Sequence, residues 1–208
     1  MAEFTRDVAT AAAALRRGEL VVYPTETFYG LGALASLPGA LALLVAAKLR
    51  SEGKPLPLLA ADADMAFALW EEVPEAAGRL AGRFWPGPLT LVAAAASGLP
   101  AALVLDGAVG VRVPGLALAR ELARLAGGPL VSTSANPAGR SAPSTAADLA
   151  PALLARIDLV LDGGPTPGGL PSTVVEIRPS GARLLRAGAV PWSEVEASLR
   201  SRLPSRGG

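Results

Sequence analysis

At 208 residues the chain is long enough to bury a core within one domain, and with 51% hydrophobic against 18% charged residues its composition excludes an intrinsically disordered chain. It contains no cysteine and no histidine, which excludes disulfides, thiolate nucleophiles, Ser-His-Asp and Cys-His relays, and metal sites built on either residue. The net charge of +1 falls short of the basic balance of a dedicated nucleic-acid binder.

In chain order, the pattern predicts a helix over 5–17 with Thr5 as N-cap and Gly18 as its stop, then a short buried strand over 20–23 closed by Pro24. A helix over 39–48 leads to a strand over 55–60. Helices over 64–70 and 74–84 follow, the second stopped by Trp85-Pro86-Gly87-Pro88. Strands over 89–94 and 110–113 precede a helix over 116–126 ended by Gly127-Gly128, and a strand over 129–132. A helix over 145–156 has Thr145 and Asp148 at capping-box spacing. Strands over 157–161, 173–177 and 183–185 come next, and the segment 191–208 reads as one short helix with a Ser/Arg/Gly tail. The alternation predicts an α/β fold, a single domain over 6–190 with a twisted mixed β-sheet and flanking helices. No apolar run approaches about 20 residues, and the start MAEFTRDVAT lacks a basic-then-apolar leader, so no membrane contact and a cytoplasmic location are expected.

The stretch VVYPTETFYGLGALA, residues 21–35, contains GLGALA, which satisfies the G-x-G-x-x-G/A form of a dinucleotide-binding turn. The context fails: such a turn starts at the end of the strand, whereas Gly30 stands six positions beyond Pro24. About 20 residues further on, where an acid would meet a ribose, Lys48 and Arg50 stand. Nicotinamide binding and a Walker-type phosphate loop are both rejected. Thr25, Glu26, Thr27 and Tyr29 remain as a strand-end group, with a tight turn as the plain alternative.

Lys48 and Lys54 are the only lysines among nineteen basic residues, and Arg50 lies between them. Compensation of a helix C-terminus is worth about 0.3–1 kcal/mol, which three cations exceed, so phosphate contacts are favoured. LVSTSANP, residues 130–137, offers Ser132, Thr133, Ser134 and Asn136 to a phosphate or ribose, or else forms an Asx or Ser/Thr turn. Arg112 sits in an apolar strand, where a charge needs a carboxylate of the protein or of a substrate. Ser172 and Thr173 start a strand, and Arg186 ends one, where a turn and a surface charge are the plain readings. The segment from Trp85 to Thr90 reads as shaping the fold.

Taken in order, PTETFYGLG, a K-x-R followed by KPL, FWPGPLTLV, VGVRVP, STSAN, PSTVV and LLRAG resemble the blocks of the YrdC-like family of threonylcarbamoyl-AMP synthases. The resemblance implies a mixed α/β sheet around a concave, positive cavity. It also implies ATP-dependent condensation of L-threonine with bicarbonate into threonylcarbamoyl-adenylate and pyrophosphate, for threonylcarbamoyladenosine in tRNA. It assigns Thr27, Arg112 and Ser172 to threonine, and Lys48, Arg50, Lys54, Ser132, Ser134, Asn136 and Arg186 to the nucleotide. No protein metal site follows; Mg2+ is expected with ATP through its phosphates, and threonylcarbamoyl-transfer proteins and tRNA are the implied partners. The alternatives are a related carbamoyl-adenylate-forming enzyme and an RNA-binding module using the same cavity. The chain departs from the family pattern at Leu59, where some relatives have a histidine near the threonine pocket, and at Ser51, where many have proline.

Overall fold

The computed structural model describes residues 2–48, 56–136 and 141–200. Its strands are β1 (Glu3–Thr5), β2 (Val21–Pro24), β3 (Tyr29–Leu34), β4 (Leu58–Leu59), β5 (Leu89–Ala94), β6 (Ala108–Arg112), β7 (Leu130–Ser134), β8 (Leu159–Leu161), β9 (Thr173–Arg178) and β10 (Gly181–Arg186). They form one mixed sheet in the order β1-β8-β2-β3-β7-β4-β6-β5-β9-β10. The helices are α1 (Val8–Arg16), α2 (Pro38–Ala47), α3 (Ala63–Phe67), α4 (Glu75–Phe84), α5 (Ala117–Ala126), α6 (Pro151–Leu154) and α7 (Trp192–Arg200).

Helices α1 and α5 cover one face of the sheet, where Ala11, Ala12, Leu15, Leu122 and Ala123 pack on Val21, Tyr23 and Leu130. Small alanines let these helices approach closely. The other face buries Leu31, Leu58, Leu91 and Val111 with Leu41 and Leu44 of α2 and Leu80 of α4. Helix α7 packs on α4 and buries Val195, so the tail contributes to this core as far as Arg200. Among the described residues no helix is long and apolar enough to cross a membrane.

Several sequence expectations are corrected. The N-cap of α1 is Asp7, whose carboxylate accepts from the amides of Ala9 at 3.2 Å and Thr10 at 3.0 Å, while Thr5 ends β1. The expected helix over 145–156 is two short pieces: a 3-10 turn at Ala146–Asp148 with the Thr145/Asp148 capping box, then α6 starting at Pro151. Proline lacks the N–H and clashes with the turn before it, so it begins a helix and cannot continue one. The expected strand over 55–60 is reduced to Leu58–Leu59 among the described residues.

The largest correction concerns GLGAL. It is strand β3, antiparallel to β2 on one side and β7 on the other. Its glycines permit close approach rather than a turn. A Cβ at Gly32 would lie 2.5 Å from Tyr23 Cε1 and 2.8 Å from the Val131 carbonyl, and one at Gly30 would lie 3.1 Å from Ser132 Oγ. Gly32→Ala is therefore expected to destabilise by roughly 1–3 kcal/mol, as an overpacked core position does. Gly78→Ala, in the interior of α4 with open space around it, should stabilise by about 0.5–1 kcal/mol. Denaturant midpoints of the two variants would check the contrast, and equal midpoints would refute the close-approach account.

Candidate active site

The β2–β3 connection is four residues long and organised by one hydroxyl. Thr25 Oγ1 lies 2.8 Å from the Phe28 carbonyl, which can only accept, so its proton is committed there. In the 3.0 Å contact between Thr25 and Thr27 the donor is therefore Thr27, which leaves lone pairs of Thr27 Oγ1 for a ligand. On the neighbouring wall, Tyr29 donates to the Gly164 carbonyl at 2.7 Å and to Asp162 Oδ1 at 3.2 Å.

Arg112 closes β6 and is buried, 8% exposed. Its Nη1 donates to Glu26 Oε1 at 2.7 Å, so the intraprotein carboxylate anticipated as one alternative is present. Thr90 on β5 meets Ser172 hydroxyl to hydroxyl at 2.9 Å. Arg186 reaches back from β10, its Nη2 donating to the Ser172 carbonyl at 2.7 Å and to Ser172 Oγ at 3.0 Å. Partial burial, and then the nearby charge of Arg112, lower the Arg186 guanidinium from its ordinary value. Two cations thus sit close enough to feel each other, and an anion between them would relieve that repulsion.

These residues line a cavity of about 450 Å³ together with Ser132, Thr133 and Ser134 of β7. The three hydroxyls expected in a loop belong to the strand itself, with Ser132 and Ser134 opposite Gly32 and Gly30. A second cavity of about 770 Å³ shares Ala142 with the first and includes Asn136 and Ser144. Lys48, just past α2, donates to the Ser134 carbonyl at 2.6 Å and to the Asn136 carbonyl, pinning the end of β7. Ser134 lines the first cavity and Asn136 the second, so Lys48 ties together the two linings, the second of which also carries Asp148.

Of the residues singled out from sequence, Thr27, Arg112, Ser132, Ser134, Ser172 and Arg186 share the first cavity, while Lys48 and Asn136 meet at its edge. Arg50 and Lys54 lie outside the described residues. Leu59 is fully buried in the α1/α5 core beside Arg112 in the sheet register, and its neighbour Leu58 lines the cavity instead. Sequence reasoning missed Thr90, which it placed in a fold-shaping segment. A polar residue at the second position of an otherwise apolar strand was the available signal.

Both tyrosines of the chain border this region, and burial raises each phenol from 10.0 to about 12. The unfolded chain would lose these protons first, so stability is expected to be level below about pH 10 and to fall as pH rises from there toward about 12. Tyrosinate absorbance should appear together with loss of far-ultraviolet ellipticity. Ionisation near pH 10 in a chain that remains folded would contradict the burial of both rings.

With this geometry in place, comparison with known proteins is informative. The family described as "Sua5_yciO_yrdC: Telomere recombination" matches residues 13–188. The threonylcarbamoyl-AMP synthase of Pyrococcus abyssi is 39% identical over 188 residues, covering 89% of this chain and 55% of the relative. That of Chromohalobacter salexigens is 39% identical over 188 residues, covering 89% of this chain and 100% of the relative. The crystal structure of P. abyssi Sua5 complexed with L-threonine superposes with a TM-score of 0.89 at 35% identity, covering 96% of this chain and 61% of that one. The chain thus spans little more than half the Pyrococcus protein and the whole of the Chromohalobacter one.

Proposed function

The chain belongs to the Sua5/YciO/YrdC family, and from that premise we propose that it is an ATP-dependent threonylcarbamoyl-AMP-forming enzyme. It condenses L-threonine, bicarbonate-derived carbon dioxide and ATP into threonylcarbamoyl-adenylate with release of pyrophosphate. The product serves threonylcarbamoyladenosine formation in tRNA, which makes transfer proteins and tRNA downstream partners and the cytoplasm the working compartment.

The observation that supports this reading is that two guanidiniums, Arg112 and Arg186, line one hydroxyl-rich cavity whose described lining residues include no Asp, Glu, Lys, His or Cys. Among the described lining residues the other ionisable group is Tyr29, which is held neutral by burial and by the nearby charge of Asp162. A site of this composition works by positioning and charge stabilisation rather than by side-chain acid–base relay. In this reading Arg112 takes the amino acid's carboxylate, and Thr27 and Ser172 its amino or hydroxyl group, which their shared cavity supports. The ammonium gives a proton to water, the free amine attacks carbon dioxide and releases a second proton to water, and the carbamate oxygen then attacks the α-phosphorus as the bond to pyrophosphate breaks. Lys48, Ser132, Ser134, Asn136 and Arg186 are proposed to hold the nucleotide, together with Arg50 and Lys54; Ser132, Ser134 and Arg186 line the first cavity and Lys48 bonds to the Ser134 carbonyl, which supports this.

Among the described residues no group of three or more Asp or Glu side chains is placed to hold a metal ion. Magnesium is proposed as part of the substrate, carried on triphosphate and water oxygens.

Purified protein given ATP, magnesium, bicarbonate and L-threonine is expected to release pyrophosphate and form the adenylate only when threonine is present. Threonine-independent release at the same rate would sink the reading. Arg186→Ala should lower kcat/KM for ATP by roughly 10- to 100-fold through loss of charge-assisted contacts, with an unchanged circular dichroism spectrum.

A further inference from the structure

The Glu26–Arg112 pair is built in an unusual way. Arginine and carboxylate commonly meet through two parallel N–H···O bonds. Here a single bond runs from Arg112 Nη1 to Glu26 Oε1, and Glu26 Oε2 is buried with no hydrogen-bond partner. A buried carboxylate oxygen left unsatisfied is costly, and a second N–H from the same guanidinium would have removed that cost. The Arg112 guanidinium makes no other hydrogen bond among the described residues, and Arg112 lines the cavity, so its remaining N–H groups are not spent on Glu26.

The surroundings keep Glu26 out of the cavity lining. Thr25 and Thr27 line the cavity, whereas Glu26 between them does not. Its stem lies against Gly115, where a Cβ would come within 3.3 Å of Glu26 Cγ and 3.4 Å of its Cβ. The tight Thr25–Phe28 turn fixes the backbone from which it projects.

Resting on the function proposed above, we propose that Glu26 is a positioning residue for the amino-acid substrate. It fixes Arg112 through one N–H so that the open edge of the guanidinium meets the substrate carboxylate. Arg112 then serves two carboxylates at once, one of the protein and one of the ligand. Glu26 also neutralises one of the two cations at this end, so that the amino acid enters between a compensated and an uncompensated guanidinium.

The test measures pyrophosphate release against L-threonine at saturating ATP, and against ATP at saturating threonine, for wild type, Glu26→Ala, Glu26→Gln and Gly115→Ala. Glu26→Ala is expected to raise the threonine KM by about tenfold and leave the ATP KM within about twofold. Glu26→Gln keeps an acceptor for Nη1 and should restore most of the threonine KM. Gly115→Ala keeps every charge but presses on the Glu26 stem, so it should raise the threonine KM alone and carries the test should Glu26→Ala fail to fold. A threonine KM unchanged or lowered in all three variants, or both KM values moving together, overturns the inference; a lowered value would mean that Glu26 merely repels the substrate anion. A wild-type protein without threonine-dependent turnover overturns the parent reading and this inference with it.

Discussion

The central constraint on this molecule is the close contact between the Tyr23 ring and the backbone of Gly32. Tyr23 is fully buried, and its ring occupies the space where a β-carbon on residue 32 would stand. That contact lets β2, β3 and β7 lie side by side with a bulky aromatic on the α1/α5 face and without a bulge. The register it fixes puts Gly30 opposite Ser134 and Gly32 opposite Ser132. Short side chains on both strands leave room beside Arg112 and Ser172, and the cavity is that room. An α-carbon proton in place of a methyl group thus governs both the core and the site. The same glycines that resemble a phosphate-binding turn in sequence act through what they omit.

The site's electrostatics follow from how few counter-charges are supplied. Arg112 has Glu26, whereas Arg186 is held by a carbonyl and a hydroxyl of Ser172. Carbonyls and hydroxyls orient a cation without cancelling its charge, so the region keeps a positive potential that a polyanion can use. Neutralising each cation with its own carboxylate would produce a more stable but less receptive surface. The hydroxyl pair Thr90/Ser172 complements this, since a hydroxyl can turn its proton or its lone pairs toward a neighbour at little cost.

Local signals made much of the fold legible. Strand β5 runs over the predicted 89–94, and α5 ends at the αL glycine Gly127 as its Gly-Gly pair indicates. What escaped depended on distant partners. Strand β1 is three residues long and exists because β8, over 150 residues away, offers it a parallel edge. GLGAL lacks the β-branched residues that announce a strand, and only the ring of Tyr23 explains why glycine is required there. In the site, Thr27, Arg112, Ser132, Ser134, Ser172 and Arg186 were legible because hydroxyls and cations at strand ends stand out against apolar runs. The Glu26–Arg112 pairing was not, because Glu26 reads as one polar residue in a polar turn and its partner is 86 positions away.

The missing histidines and cysteines and the geometry of the cavity lead to one chemical conclusion. A chain without either residue has no side chain that readily exchanges protons near neutrality unless burial shifts a carboxylate, lysine or tyrosine. Here burial moves Tyr29 further from neutrality, and Glu26 is kept out of the cavity lining. Under the proposed function the reactivity comes from the substrates: an amine once it has given up its proton to water, a carbon dioxide that is already an electrophile, and a phosphoanhydride that is already activated. What remains for the fold is to bring these together and to hold the negative charge that develops. A rigid sheet carrying hydroxyls at fixed strand positions, flanked by two guanidiniums and an ammonium, is sufficient for that task.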